Sequence, residues 1–294
     1  MKKAYHLILA DLHSGHKFGL CNPETIMYDE DSNGNRAARY PKLGPFQSEL
    51  WNDLMVVKGR VEAIVHDDPV IITCAGDITQ GIRFMESLMS TEIDDHIEIA
   101  FYALLPWFES PMNVIAARLI HGTGVHSFGG HAENSVAREL QASFPNVDIA
   151  TTSHSLLNIS GKTFNIAHHG PTPGSRNWLK GRELLYYVQS LVGDCLDADE
   201  VPPDFVARAH YHEWVPPITY RKYHSGKLYE TTGILLPSLC GITNHGRQAT
   251  KSKTSITVGV MLIEVSDDGH TVMYGPESGL IATYNLLAEE KMTW

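Results

Sequence analysis

Several absences narrow the field before any residue is singled out. The four cysteines, Cys21, Cys74, Cys195 and Cys240, lie far apart without a Cys-x-x-Cys pair. This spacing excludes a small disulfide scaffold and a zinc ribbon, and it fits a reducing compartment. No apolar run approaches the roughly 20 residues of a membrane span. The opening MKKAYHLILADLH starts basic and then turns apolar, but Asp11 interrupts it after about five apolar residues, too few for a signal peptide. Positive charge is also scarce, since 23 Lys and Arg against 34 Asp and Glu leave a formal charge of −11. That balance excludes a surface that grips nucleic acid all over by counterion release, and leaves room only for a local basic patch. The longest such patch, RQATKSK at 247–253, reads as a solvated loop. The expectation is a soluble, cytoplasmic protein.

At 294 residues and 43% apolar content the chain can bury a sizeable core, and no internal repeat or low-complexity tract divides it. A single domain over 1–294 is expected. Short runs rich in Ile and Val, HLILA (6–10), PVIITCA (69–75), MNVIAARLI (112–120), TFNIA (163–167) and DFVARA (204–209), read as strands buried on both faces. Between them Phe46, Leu50, Leu54, Val57, Val61 and Ile64 recur at helical spacing, and 92–108, 132–144 and 177–192 carry looser versions. Strand alternating with helix predicts an α/β layered core. From about residue 214 the pattern changes to strands and turns, with DDG at 267–269 as a hairpin signal, so the C-terminal part is expected to be antiparallel β. The region 14–45 is a long, polar, turn-rich insertion, of a kind that is either functional or disordered in a compact domain.

What the chain has in plenty is histidine, sixteen in all. Imidazole is the commonest metal ligand, so the positions of these residues matter. The first strand run ends at Asp11-Leu12-His13 and the second at Gly76-Asp77. The third runs into RLIHGTGVHSFGGHAE at 118–133, the fourth ends at His168-His169-Gly170, and the fifth at His210-Tyr211-His212. Any one histidine at a strand end is ordinary. Five ends that each deliver Asp or His are expected to converge on one crevice, because ligands of open α/β sheets bind outside the carboxyl ends of the strands. In Asp-x-His and His-x-His the two side chains leave an extended strand on the same side, so each pair is expected to pinch one cation. Asp77, from a neighbouring strand, can give one oxygen to each of two ions. Imidazole mixed with carboxylate suits Mn²⁺, Fe, Zn²⁺ or Co²⁺ better than Ca²⁺ or Mg²⁺. Two such ions clamp the attacking and leaving oxygens of an in-line displacement at phosphorus.

Taken in order, Asp-x-His, Gly-Asp, Gly-x-x-x-His, His and His-x-His resemble the motifs of the calcineurin-like metallophosphoesterase superfamily. The resemblance covers residues 5 to about 265; 14–45 and 270–294 carry no such signal. It implies an α/β fold, an αββα four-layer sandwich, with two divalent metal ions, manganese first and zinc, iron, cobalt and nickel as alternatives. It implies that Asp11 and His13 hold the first ion with His212, that Asp77 bridges, and that His210 holds the second ion with one histidine of the 168–169 pair. His168 takes that place if the stretch is aligned with a His-His-Pro form, and His169 if it is aligned with a His-Gly form. The departure lies at Gly122-Thr123-Gly124-Val125-His126, where the family has Gly-Asn-His followed by Asp or Glu. Thr123 stands where the metal-binding Asn is expected, and a hydroxyl is the poorer ligand. Water or His126 can fill the place. His126, displaced by two residues, is the candidate general acid. His121, His131 and Glu133 are read as ordinary, the last two opening the helix at 132, and His154 and His245 have no assigned role. Arg36, Arg39 and Arg176 are read as surface residues that could contact phosphate.

The activity implied is a metal-dependent phosphoesterase that hydrolyses P–O bonds with a metal-bound hydroxide. A phosphodiesterase of the nucleotide or nucleic-acid type is favoured, because an alkoxide leaving group gains from an acid such as His126 and the insertion offers room over an extended substrate. The alternatives are a phosphomonoesterase and a catalytically inactive metal-binding scaffold, for which the missing Asn speaks. The expected partner is a phosphoester substrate, with no membrane.

Overall fold

The structure, a computed structural model, describes residues 2–30, 32–174, 176–242, 255–275 and 279–285. The chain runs β1 (Lys3–Leu9), β2 (Met27–Glu30), β3 (Arg36–Arg39), α1 (Pro45–Val65), β4 (Pro69–Cys74), α2 (Ile93–Phe108), β5 (Asn113–Ile120), α3 (Gly124–Ser127), α4 (His131–Ser143), β6 (Asp148–Thr152), β7 (His154–Ile159) and β8 (Lys162–Ala167). It continues through α5 (Arg182–Asp197), β9 (Phe205–Arg208), β10 (Val215–His224), β11 (Lys227–Leu235), β12 (Ser255–Gly259), β13 (Met261–Ser266), β14 (Thr271–Tyr274) and β15 (Ile281–Asn285). The five Ile- and Val-rich runs are β1, β4, β5, β8 and β9.

They divide between two sheets. A six-stranded sheet has the order β14-β13-β1-β4-β5-β6 and a five-stranded sheet the order β10-β11-β9-β8-β7. Within the first, β1, β4, β5 and β6 run parallel; within the second, so do β8, β9 and β11. Side chains alternate across a strand. Accordingly Ile8 and Ala10 face one way, into a buried cluster shared with Ile120, Phe164, Ile166, Ala207 and Ile234 of both sheets. Leu7 and Leu9 face the other way, against Leu50, Leu54, Val57 and Val61 of α1, Trp107 of α2 and Leu140 of α4. On the far side of the second sheet Leu184, Val188, Val192 and Leu196 of α5 pack on Val215 and Leu235. The fold is mixed α/β, with side chains of both sheets meeting in one buried cluster and helices packed in two others.

Helix α1 follows its expected stripe and opens on Pro45, with the Gln47 side chain accepting the Gly44 N–H at 3.2 Å. Gln47 also donates to the carbonyls of His16 and Gly19, both at 3.1 Å, and so ties the insertion to the helix. The insertion is not a structureless loop: β2 and β3 form an antiparallel hairpin. Arg39 pairs with Asp29 at 2.6 Å and with the buried Asp95 of α2, which fastens the hairpin to that helix. One further expectation needs correction. The helix expected over 177–192 begins instead at Arg182, because Gly181 sits at φ 83° as its N-cap. Beyond 214, β10 with β11, β12 with β15 and β13 with β14 pair antiparallel, and the part is built into both sheets, β13 antiparallel beside β1 and β11 parallel to β9. The DDG signal does close a hairpin, β13 with β14. Among the described residues no helix is long and apolar enough to cross a membrane.

Glu264 on β13 supplies a stability test. Its carboxylate takes hydrogen bonds from Tyr5 at 3.1 Å and Tyr274 at 2.8 Å and pairs with Lys3 at 2.8 Å. Burial pushes the carboxyl up, but these three donors outweigh it and hold Glu264 below the usual glutamate range. A carboxyl whose folded pKa is depressed stabilises the fold above its unfolded value, about 4.3, and that contribution is lost as pH falls through the folded value. Glu264→Gln should therefore cost about 1–3 kcal/mol at neutral pH. In urea unfolding at a series of pH values, the gap to the wild type should close as the solution becomes more acidic than about pH 4.

Candidate metal centre

Because β1, β4 and β5 are parallel in one sheet and β8 and β9 in the other, their carboxyl ends come out along the edges of two sheets that meet in one buried cluster. The convergence expected for a single open sheet thus happens across a pair of sheets. The loops after β1 and β4 travel together: Asp11 N–H donates to Gly76 at 3.2 Å, His13 N–H to Asp77 at 2.9 Å and Ser14 N–H to Ile78 at 2.9 Å. Asp11, His13, Asp77, His210 and His212 all have positive φ, at 52°, 46°, 47°, 78° and 51°. Each such residue costs on the order of 1–3 kcal/mol, and residues of this kind cluster where function over-determines the backbone. They also revise the period-two expectation. Asp11 and His13 share a site because left-handed turns aim them there, not because they sit on an extended strand.

Asp11, His13 and His212 form one group, and His168, His169 and His210 a second, in each of which one ligand atom per residue lies within 4.8 Å of the others. Either group could hold a metal ion. Asp77 belongs with both sides, joining Asp11 and His168 in one set and His13 and His126 in another. The Asp-x-His pair thus serves one group, as expected, whereas His-x-His is split, His210 facing one group and His212 the other. His13 Nε2 lies 3.0 Å from His212 Nε2, and His168 Nε2 lies 3.0 Å from Asp77 Oδ2 and 3.1 Å from His210 Nδ1.

Behind these atoms the rings are held. His13 Nδ1–H donates to Gln80 Oε1 at 2.8 Å and His168 Nδ1–H to the Ala75 carbonyl at 2.9 Å, while His212 Nδ1 meets Ser238 Oγ at 3.2 Å. Such outer partners fix the tautomer and aim the opposite nitrogen, as they do for metal-ligating imidazoles. Asp11 Oδ2 accepts the His210 N–H at 3.2 Å, but its buried Oδ1 has no hydrogen-bond partner among the described residues. An orphaned carboxylate oxygen away from water is costly, and a cation relieves it. The residues fit a divalent metal.

The titration behaviour follows from crowding. Burial pushes Asp11 up to about 7, with His168 opposing and the Asp77 charge adding. At Asp77 burial also pushes upward, but the His168 hydrogen bond and the His13 charge prevail and keep it ionised far below the usual carboxylate range. Burial lowers His168, yet Asp77 and Asp11 raise it to about 9. Burial and then the nearby imidazoles bring His210 down to about 4 and His13 well below its ordinary value. His13 and His210 are therefore neutral at pH 7, the state in which imidazole ligates, whereas His168 would have to give up its proton to hold a metal.

Thr123 lies among the second group. Its N–H donates to Asp77 Oδ1 at 2.6 Å, and its hydroxyl is 3.3 Å from both His168 Nε2 and His210 Nδ1. His126, on the short α3, groups with His13 and Asp77 and not with His168 and His210, so it does not stand in for the missing Asn at the second group. Its Nδ1 faces the Gln80 carbonyl. His168 is buried and His169 exposed, though both reach His210. The other sequence candidates fall elsewhere. Arg36 stacks on Tyr28, Arg39 is spent on Asp29 and Asp95, and His154 bonds Asn165. His245 and 247–253 lie outside the described residues.

Three contributors escape a reading by motif. Gln80 holds His13 through its side chain and His126 through its carbonyl, and Ser238 holds His212. Glu133 is not ordinary: fully buried in the first turn of α4, it accepts the Gly122 N–H at 3.2 Å, and burial pushes it up to about 7. The one signal for it is an acid at the third helical position, which ordinarily only marks a helix start.

No protein-family model matches the chain, and no curated protein matches it. Among solved structures, an archaeal protein described as a novel phosphodiesterase is similar over 92% of this chain and 98% of its own, at 10% identity and a TM-score of 0.37. A protein of unknown function from Aquifex aeolicus is similar over 72% of this chain and 81% of its own, at 14% identity and a TM-score of 0.30. Likeness this faint leaves function to the residues themselves.

A Cβ on Gly122 would lie 2.1 Å from Asp77 Oδ1, so the loop can approach Asp77 only with glycine there. Gly122→Ala should weaken metal binding by about 10- to 100-fold, the usual scale for disturbed ligand support, while costing about 1–3 kcal/mol of stability. Competition with a chelator, alongside thermal unfolding, measures both; unchanged affinity would detach this loop from the centre.

Proposed function

We propose that the protein is a metal-dependent phosphoesterase that acts on phosphodiesters of the nucleotide or nucleic-acid type. The observation that carries this reading is Asp77, which stands between a group of Asp11, His13 and His212 and a group of His168, His169 and His210. That is a ligand set for two ions with a shared carboxylate. The chain is read as one domain, and two sheets meeting in one buried cluster, with helices packed in two others, support the αββα sandwich of the calcineurin-like metallophosphoesterases.

In this reading Asp11, His13 and His212 would hold the first ion, Asp77 would be shared, and His168 and His210 would hold the second. The burial of His168 and its anchoring to Ala75 favour it over His169, which is left on the exposed side. Imidazole with carboxylate suits manganese, zinc, iron, cobalt or nickel, with manganese taken first. Bound there, two divalent ions polarise phosphoryl oxygens and lower the pKa of water enough for attack at neutral pH. The chain's own contribution is orientation and a proton. Gln80 accepts Nδ1–H of His126, which leaves Nε2 to carry the proton for a departing alkoxide. A diester needs that proton, and general acid catalysis supplies roughly a hundredfold to ten-thousandfold. Thr123 is the best support for an inactive scaffold, since it offers a hydroxyl where an amide is expected; yet that hydroxyl faces His168 and His210, so an oxygen donor is kept at the place.

With Mn²⁺, the wild type should hydrolyse bis(p-nitrophenyl) phosphate faster than p-nitrophenyl phosphate, and His212→Ala should abolish both. His126→Ala should cost about 10²- to 10⁴-fold on an alkyl diester, and much less on a nitrophenyl ester, whose leaving group needs no proton. Absence of turnover would sink the enzyme reading, and monoester turnover far above diester would sink the substrate preference. Thr123→Asn should tighten metal binding; unchanged affinity would place Thr123 outside the second group.

A further inference from the structure

The centre accounts for the phosphate of a substrate and for nothing else of it, whereas the loops leaving the centre carry further chemistry. After β4, the Phe84 ring lies 6.4 Å from the His126 ring, and the Arg83 guanidinium sits 5.8 Å over Phe84. Ile82 and Met85, on either side in sequence, are exposed, Met85 at 67%. After β8, on the loop that begins at His169, Arg176 lies 5.1 Å over the ring of Trp178, which is 75% exposed. This loop is tied back toward the centre by the 3.2 Å ion pair of Lys180 with Glu213, the neighbour of His212. After β1, the exposed Phe18 lies with its ring 5.7 Å from that of the buried His16.

Location sets these residues apart. Other Arg or Lys side chains also lie over aromatic rings, but Arg36 with Tyr28 belongs to the β2–β3 hairpin, Arg182 with Tyr186 to α5 and Lys227 with Tyr229 to β11, none of which ends in a ligand group. Arg208 over Tyr187 does end the strand that leads into His210, but Arg208 is buried and bonded to the Asn165 carbonyl and side chain, which closes it to a substrate. An aromatic face beside a guanidinium stacks any nucleobase while meeting backbone phosphate, and such platforms serve single strands without strict sequence readout. In a chain of net charge −11 the arginines also put local positive charge beside the centre, where overall electrostatics would repel a polyanion.

Resting on the phosphodiesterase reading, we propose that the loops after β1, β4 and β8 form a base-stacking rim for single-stranded nucleic acid, with Phe84 and Trp178 stacking bases and Arg83 and Arg176 meeting neighbouring phosphates. The test compares kcat/KM on an oligothymidylate 12-mer with that on a 12-mer of the same phosphate count lacking bases, using bis(p-nitrophenyl) phosphate as a measure of the centre itself. The oligothymidylate should be favoured, and Phe84→Ala and Trp178→Ala should each lower its kcat/KM by roughly 5- to 100-fold, the scale of one lost base stack. Turnover of the base-free strand should stay within about twofold in both variants, because stacking has nothing to act on there. Equal turnover of the two strands, equal losses on both, or preference for a duplex of the same length would overturn the rim while leaving the phosphoesterase reading intact. Failure to hydrolyse bis(p-nitrophenyl) phosphate would instead overturn the phosphoesterase reading.

Discussion

Asp11 and Asp77 are buried within reach of each other, and the structure around them is organised by what compensates two carboxylates in a space without water. Asp11 Oδ1 has no donor among the described residues, and Asp77 stays ionised only by leaning on His168 and His13. Charges kept out of water in this way are retained where they are paired or bound to a cation. The imidazoles arranged around them provide for both. Gln80, Ala75 and Ser238 turn the rings so that one nitrogen of each faces inward.

Bringing these groups together imposes a backbone cost, and the two sheets bear it. Five of the site residues adopt positive φ, and Gly76 and Gly122 lie so close to His168 and Asp77 that a Cβ on either would overlap those side chains. Behind them Ile8, Ile120, Ile166 and Ala207 of the parallel strands are buried together in a cluster shared by the two sheets. A close-packed interior of this kind transmits strain poorly into relaxation. The strand ends therefore hold their positions although their local conformations are unfavourable.

The order and identity of the strand-end motifs were legible because buried parallel strands write themselves as unbroken Ile and Val runs, and polar residues that stop such a run stand out. Asp11, His13, Asp77, His168, His210 and His212 are all found together for that reason. Less local features were not legible. Strand runs do not say which sheet they join, so which of the converging ends comes from which sheet was not readable from them. The split of His210 from His212 runs against period-two spacing and was implied only by the resemblance in motif order, because the left-handed turns that produce it are encoded in no side-chain pattern. Glu133 and Ser238 act through hydrogen bonds with segments distant in sequence, and β2 and β3 bury only Met27 among their eight residues, which leaves no alternation to read. The start of α5 at Arg182 turned on one glycine conformation rather than on apolar spacing.

A carboxylate shared between two ligand groups should bring two ions close together, and metal counting with spin coupling measures both their number and their proximity. Protein stripped of metal would be titrated with Mn²⁺ and followed by electron paramagnetic resonance. Saturation should come at about two ions per chain, with a spectrum of exchange-coupled manganese as expected for ions about 3.5–4 Å apart across one carboxylate. Saturation at one ion, uncoupled spectra at two, or no specific binding would contradict a shared carboxylate.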